Sequence, residues 1–178
     1  MLIIVCGLPG SGKTTLAKSI ATHFGDMAVH ISSDTIRKKI FQTPEYTEEE
    51  KNSVYDEMTK EAARVIANGK IAIADATFYK QKYRDMILAA AKSVKDSSII
   101  IYCEISEKEA GERLRKREKG NSDADFEVHK KLREEFEEIR EKHLTIMFGP
   151  EGNKDSGHSN SEKKIERIIN ELDKRLKK

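Results

Sequence analysis

The sequence predicts an α/β fold, a three-layer αβα sandwich around a mostly parallel sheet. Short, continuously apolar runs, as expected of strands buried on both faces, alternate with segments of helical apolar spacing. That alternation calls for right-handed crossovers between parallel strands. The 178 residues suffice for one three-layer core and are too few for two ordinary domains. With no repeat and no low-complexity linker, residues 1–178 are expected to form a single domain.

The first strand is read from Leu2-Ile3-Ile4-Val5-Cys6, followed by a helix over residues 13–24 that stops at Gly25-Asp26. Ala28-Val29-His30-Ile31-Ser32 reads as the second strand, and a helix opens at Ser33-Asp34, with Ser33 as its cap, and runs to about 41. After Pro44, Thr47 and Glu50 form a capping box. The helix they start buries Val54, Met58, Ala62, Val65 and Ile66 and ends at Asn68-Gly69. Ile71-Ala72-Ile73-Ala74-Asp75 is a third strand ending in a carboxylate, and residues 79–94 form a helix. Ile99-Ile100-Ile101-Tyr102-Cys103 is the fourth strand, and a second capping box, Ser106 and Glu109, begins a helix reaching Gly120. A charged helix is expected over 122–143, with His129 and His143 on its apolar face as core or boundary residues. A fifth strand is expected at 144–148, a polar loop at 149–160, and a last helix over 161–177.

Chemistry enters after the first strand. Gly7-Leu8-Pro9-Gly10-Ser11-Gly12-Lys13-Thr14 fits G-x-x-x-x-G-K-[ST] in the strand-to-helix context that gives the pattern meaning. Glycines let successive backbone N–H groups point at phosphates, and the helix N-terminus adds positive potential. Lys13 is placed to bridge β- and γ-phosphates and the Thr14 hydroxyl to ligate Mg²⁺; Gly7, Pro9, Gly10, Ser11, Gly12 and Thr15 complete the nucleotide cradle.

In such sheets the carboxyl ends of neighbouring strands share one crevice. Asp34 and Arg37 share a helix face just past the second strand, so Asp34 is expected to face the loop as a general base. Asp75, an acid ending an apolar strand, is expected to hold Mg²⁺ directly or through water. Arg84 is placed on the crevice side of its helix, whereas Lys80 and Lys82 read as a solvated face. Arg113 and Arg117, one turn apart beside Gly120-Asn121-Ser122, suit a lid that closes over the transferring phosphate.

Composition narrows the setting. Charged residues make up 36% but nearly cancel, leaving +2, so a nucleic-acid partner needs a local basic patch. Cys6 and Cys103 lie in apolar strands and read as core thiols of a reduced, cytoplasmic protein. No run is long enough for a membrane span, and Met1 leads directly into the first strand without a signal-peptide pattern. Asn153-Lys154-Asp155-Ser156 lacks the final acid of the guanine-reading N-K-x-D motif.

Four blocks, G-L-P-G-S-G-K-T-T, I-S-S-D-T-I-R, G-K-I-A-I-A-D-A-T-F and E-R-L-R-K-R, together resemble the P-loop kinase group that contains the 5′-hydroxyl polynucleotide kinases and the zeta-toxin-like kinases. The resemblance spans roughly residues 1–140. It implies a nucleotide-kinase-like P-loop NTPase fold with a helical lid near 106–122, and ATP and Mg²⁺ as ligands. It implies Lys13, Asp34 and Arg113 as catalytic residues, with Arg113, and less securely Arg117, on the nucleotide phosphates. It also places Arg37 on the acceptor's phosphate and Arg84 near the acceptor. The family sets adenine between the lid and the loop before the last helix; here that loop departs from the family pattern.

The expected function is therefore an ATP-dependent kinase acting on a hydroxyl group, leaning to a polynucleotide 5′ end. A small-molecule acceptor (nucleoside, adenylylsulfate or sugar acid) is the alternative, and an acceptor-free ATP- or GTP-hydrolysing switch ranks lower. Arg37-Lys38-Lys39 opposite residues 80–84 suits a phosphate-bearing acceptor, although the sequence lacks the aromatic interleaving of single-strand-binding grooves.

Overall fold

A computed structural model describes residues 1–92, 98–116, 124–148 and 157–176. Within them five strands form one parallel sheet: β1 (Leu2–Cys6), β2 (Ala28–Ser32), β3 (Ile71–Asp75), β4 (Ser98–Glu104) and β5 (His143–Met147), in spatial order β2-β3-β1-β4-β5. Helices α1 (Lys13–Phe24), α2 (Ser33–Ile40), α3 (Glu48–Ala67), α4 (Gln81–Lys92), α5 (Glu107–Lys116), α6 (Phe126–Glu134) and α7 (Gly157–Leu176) connect and cover it.

β1 lies at the centre because its side chains are apolar on both faces. Leu2, Ile4 and Cys6 enter one core with α3 and α4, whereas Ile3 and Val5 enter the other with α1 and α7. Each fully buried Leu, Ile or Val stabilises the fold by about 1.5–3 kcal/mol relative to exposure. Parallel register then decides function: Val5 pairs with Asp75 and Asp75 with Ser32, so these strands end together at one edge. From β1 the chain crosses to β2 on one side, whereas from β3 it crosses past β1 to β4 on the other, and this divergence between β1 and β3 opens the crevice at that edge.

The αβα class is as expected, and β5 forms where the fifth strand was placed. Three local expectations need correction. Ser32, not Ser33, is the N-cap of α2, and no side chain caps that end. The helix expected over 122–143 ends at Glu134. Beyond it the Glu137 N–H donates to the Tyr79 carbonyl (2.8 Å), and the Glu138 carbonyl accepts from Arg84 (2.8 Å). These tertiary bonds take backbone groups a helix would need. His143 consequently opens β5 instead of sitting on a helix face. The last helix starts at Gly157, inside the stretch expected to be loop. Val94, Gly120-Asn121-Ser122 and residues 149–156, including the N-K-x-D-like stretch, lie outside the described residues. Among the described residues no helix is long and apolar enough to cross a membrane.

Candidate active site

The loop between β1 and α1 has the backbone its glycines predict. Gly7 has φ 141°, and a Cβ there would lie 2.2 Å from the Cys103 carbonyl oxygen. Gly12 has φ 91°, and a Cβ there would meet the Phe148 ring at 2.9 Å. Both positions need glycine for conformation and for space. Gly12 caps α1 without a side-chain bond, and no acid occupies the first turn, so the helix's positive end is left unneutralised. Lys13 Nζ donates to the Leu8 carbonyl (2.9 Å), and the Ser11 Oγ is buried without a hydrogen-bond partner. Arg113 reaches over the loop, donating from Nη1 to the Gly10 carbonyl (3.3 Å) and from Nη2 to the Phe148 carbonyl (2.6 Å).

From this loop a cavity of about 760 Å³ runs along the crevice towards α3 and α6. Pro9, Gly10, Gly12, Lys13, Thr14, Thr15 and Arg113 line one half, whereas Gly7 and Ser11 are buried and do not line the cavity. Asp34, Arg37, Asp75 and Thr77 line the middle, and Tyr46, Lys51, Tyr79, Lys131 and Leu132 the far half. The sequence-predicted Asp34, Arg37, Asp75, Lys13, Thr14 and Arg113 thus converge on one space.

Arg37 is 8% exposed. Its Nη1 has no hydrogen-bond partner and lies 3.5 Å from Glu50 Oε2. Its guanidinium sits 4.7 Å from the centroid of the Tyr46 ring. Glu50 also accepts the N–H groups of Glu45 and Tyr46 (3.0 and 2.6 Å), turning the expected capping box one residue outward. Those bonds hold Tyr46 at φ 60°, a left-handed conformation rare for a bulky residue. Beside it, burial lowers the Lys51 pKa, but hydrogen bonds to Glu48 and Tyr79 outweigh that and leave it above its ordinary value.

Asp75 is 3% exposed, and its Oδ2 lies 3.1 Å from His30 Nε2 on the neighbouring strand. His129, fully buried on α6, donates from Nδ1 to the Pro9 carbonyl (2.8 Å) and seats that helix on the phosphate-binding loop.

Arg84, expected near an acceptor, does not line the cavity. It is fully buried and absent from the cavity wall, and its Nη groups donate to the Phe78 carbonyl, Gln81 Oε1 and the Glu138 carbonyl (2.8 Å each). Those bonds point it into the packing between α4 and residues 136–141, away from the crevice. Lys82 pairs with Glu48, as a solvated face should, and Lys80 lies between Glu48 and Glu135. Arg117 lies outside the described residues.

His30, Tyr46, Lys51 and Tyr79 carry no motif. The available signals were His30 two residues before Ser32, hence on the same strand face, and Tyr46 just ahead of the capping box.

The site's chemistry fits ATP and Mg²⁺. The loop has the conformation of an anion cradle and one buried hydroxyl without a partner, while Thr14 and Asp75 offer hard oxygen donors to one cavity. Among the described residues no group of three His, Cys, Asp or Glu could hold a metal alone.

Comparison with known proteins agrees with this fold. An uncharacterized protein of Mycobacterium tuberculosis is 27% identical over 139 residues, covering 71% of this chain and 28% of that protein. The chain therefore spans little more than a quarter of that relative. The crystal structure of a sugar kinase from Janibacter matches with a TM-score of 0.67 at 19% identity, covering 97% of this chain and 94% of that one. The Mycobacterium tuberculosis APS kinase in complex with AMPPNP and APS matches with a TM-score of 0.67 at 13% identity, covering 99% and 97%. The family model described as AAA domain matches residues 2–139, so this chain belongs to the AAA domain family, on the fold of the P-loop kinases.

Proposed function

We propose that this chain is an ATP-dependent kinase that phosphorylates a hydroxyl of a phosphate-bearing acceptor, with a polynucleotide 5′ end as the leading candidate. The carrying observation is one continuous cavity joining the phosphate-binding loop to Asp34 and Arg37. An acceptor-free switch has no use for its far half. That half and the adjoining Arg37 interleave cations with aromatic rings, Arg37 and Lys51 with Tyr46 and Tyr79, the kind of surface that holds phosphate and stacks bases.

In this reading Asp34 accepts the proton of the attacking hydroxyl, which stays hydrogen-bonded to it as the new bond forms. Lys13 and Arg113 stabilise charge on the transferring phosphate; their donors, now on the Leu8, Gly10 and Phe148 carbonyls, turn to phosphate oxygens. Thr14 and Asp75 hold Mg²⁺, which when bound neutralises the phosphate oxygens. Arg37, which lines the cavity beside Asp34, binds the acceptor's phosphate through its guanidinium.

A small phosphate- or sulfate-bearing metabolite is the second reading, favoured by Leu132 and Lys131 of α6 opposite Lys51 of α3, which wall the far half. A radiolabelled-ATP transfer screen over 5′-hydroxyl oligonucleotides, mononucleotides and sugar acids separates the two. Oligonucleotide labelling with a steep salt dependence supports the first. Labelling of mononucleotides alone supports the second. Label transfer to none of these, with ATP turned over to phosphate, sinks both.

A further inference from the structure

A wholly buried guanidinium calls for a reason, since taking that charge from water is costly unless its donors are used. Arg84 has one in the short link that carries the chain out of β3. Phe78, in that link, has φ 48°, which a bulky side chain adopts only where its surroundings impose it.

Every residue of the link is tied to a different part of the protein. The Ala76 N–H donates to the Val5 carbonyl of β1 (3.3 Å), and the Thr77 carbonyl accepts the Gly7 N–H of the phosphate-binding loop (3.3 Å). The Tyr79 carbonyl accepts the Glu137 N–H (2.8 Å). At the strained residue both backbone groups meet side chains. The Phe78 N–H donates to the Tyr55 hydroxyl (3.2 Å), and the Phe78 carbonyl accepts from Arg84 Nη1 (2.8 Å). Tyr55 is itself fixed by stacking on Tyr83, with ring centroids 4.0 Å apart. Arg84 is fixed by Gln81, by the Glu138 carbonyl and by Glu141, 3.7 Å from its Nε. Asp75, Ala76, Thr77 and Tyr79 all line the cavity, so the clamp sits in the middle of a functional stretch.

We infer that Tyr55 and Arg84 are positioning residues that clamp the strained Phe78 from both sides and so hold Asp75 and Thr77 against the phosphate-binding loop. Arg84 thereby serves the site from the core, without touching a ligand. The inference rests on the reading of Asp75 as a cation ligand, and its test keeps the two apart.

The experiment compares wild type with Tyr55→Phe, Arg84→Lys and the double variant. Calorimetry measures ATP affinity with and without Mn²⁺, amide exchange follows Gly7, and a melt gives Tm. Tyr55→Phe is expected to reduce the Mn²⁺-dependent gain in ATP affinity by about tenfold, the scale of lost support behind a metal ligand. Metal-free ATP affinity should stay within about twofold, and the Gly7 amide should exchange faster. The double variant should lose little more than the worse single one, as two holds on one peptide must. An unchanged Mn²⁺-dependent gain with unchanged Gly7 exchange in Tyr55→Phe overturns the clamp, as do additive losses, even if Tm falls. Should Arg84→Lys fail to fold, Tyr55→Phe decides alone. Asp75→Asn in an otherwise wild-type chain checks the underlying reading: if the gain survives it, Asp75 is not the ligand, and Gly7 exchange in Tyr55→Phe still decides the clamp.

Discussion

Apart from Arg113, the half of the cavity at the phosphate-binding loop comes from one unbroken stretch within Gly7–Thr15 and consists mostly of backbone. The rest of the cavity, which we propose holds the acceptor, draws side chains from α2, the turn before α3, α3 itself, the link after β3 and α6. Backbone cradles depend on glycine conformation, so they leave a compact sequence pattern. Side-chain sites depend on which elements the sheet brings together, so they leave scattered residues. The two buried arginines teach the same lesson. Arg37 and Arg84 each leave one buried nitrogen without a hydrogen bond, Nη1 3.5 Å from Glu50 and Nε 3.7 Å from Glu141, but Arg37 lines the cavity and Arg84 does not. A place on the cavity wall, and not incomplete satisfaction, separates the arginine open to a ligand from the one that serves the packing.

The largest effect should come from the meeting point of the halves. Asp34→Asn is expected to lower kcat by about 10²–10⁴-fold, the span of general-base contributions. ATP affinity by calorimetry should stay within about twofold of wild type. Wild-type transfer rates in that variant would remove Asp34 from the base role.

Next in size, Arg37→Ala should reduce acceptor kcat/KM by about 10–100-fold, the worth of one charge-assisted hydrogen bond. The ATP KM should hardly move. A loss confined to ATP would transfer Arg37 to the donor half and erase the contrast with Arg84.

His30→Ala sharpens the middle of the cavity. With its imidazole gone, Asp75 Oδ2 loses its 3.1 Å partner, and Mn²⁺ affinity in the presence of ATP should fall by about tenfold. Paramagnetic titration measures this directly, and an unchanged affinity would make the His30–Asp75 bond structural only.

The smallest effect lies on the rim. Hydrogen bonds from Lys51 and Lys82 hold the Glu48 carboxyl down to about 2. Because its folded value is depressed, Glu48 stabilises the protein fully above the ordinary carboxylate range and loses that contribution as pH falls towards 2. Glu48 is half exposed, so Glu48→Gln should cost less than about 1 kcal/mol at neutral pH. The difference in Tm from wild type should close on acidification; a gap that persists at pH 2 would mean packing, not charge, is responsible.

What the sequence determined by itself was the part governed by local rules. Apolar runs marked strands, Thr47–Glu50 and Ser106–Glu109 marked helix starts, and the glycines around Lys13-Thr14 marked the anion cradle. Asp34, Arg37 and Asp75 were legible because strand ends in a parallel sheet share an edge, so position after a strand is position in the crevice. Only the tertiary structure decided the rest. It ended α6 at Glu134, because Tyr79 and Arg84 claim the backbone beyond it. It turned Arg84 into the core, where a helix face predicted from sequence could equally have met the crevice. It also supplied the cation–aromatic interleaving that the sequence lacked, by bringing Tyr46 and Tyr79 beside Arg37 and Lys51. Such pairings join residues on different elements, and their energy comes from packing and desolvation that no local pattern encodes.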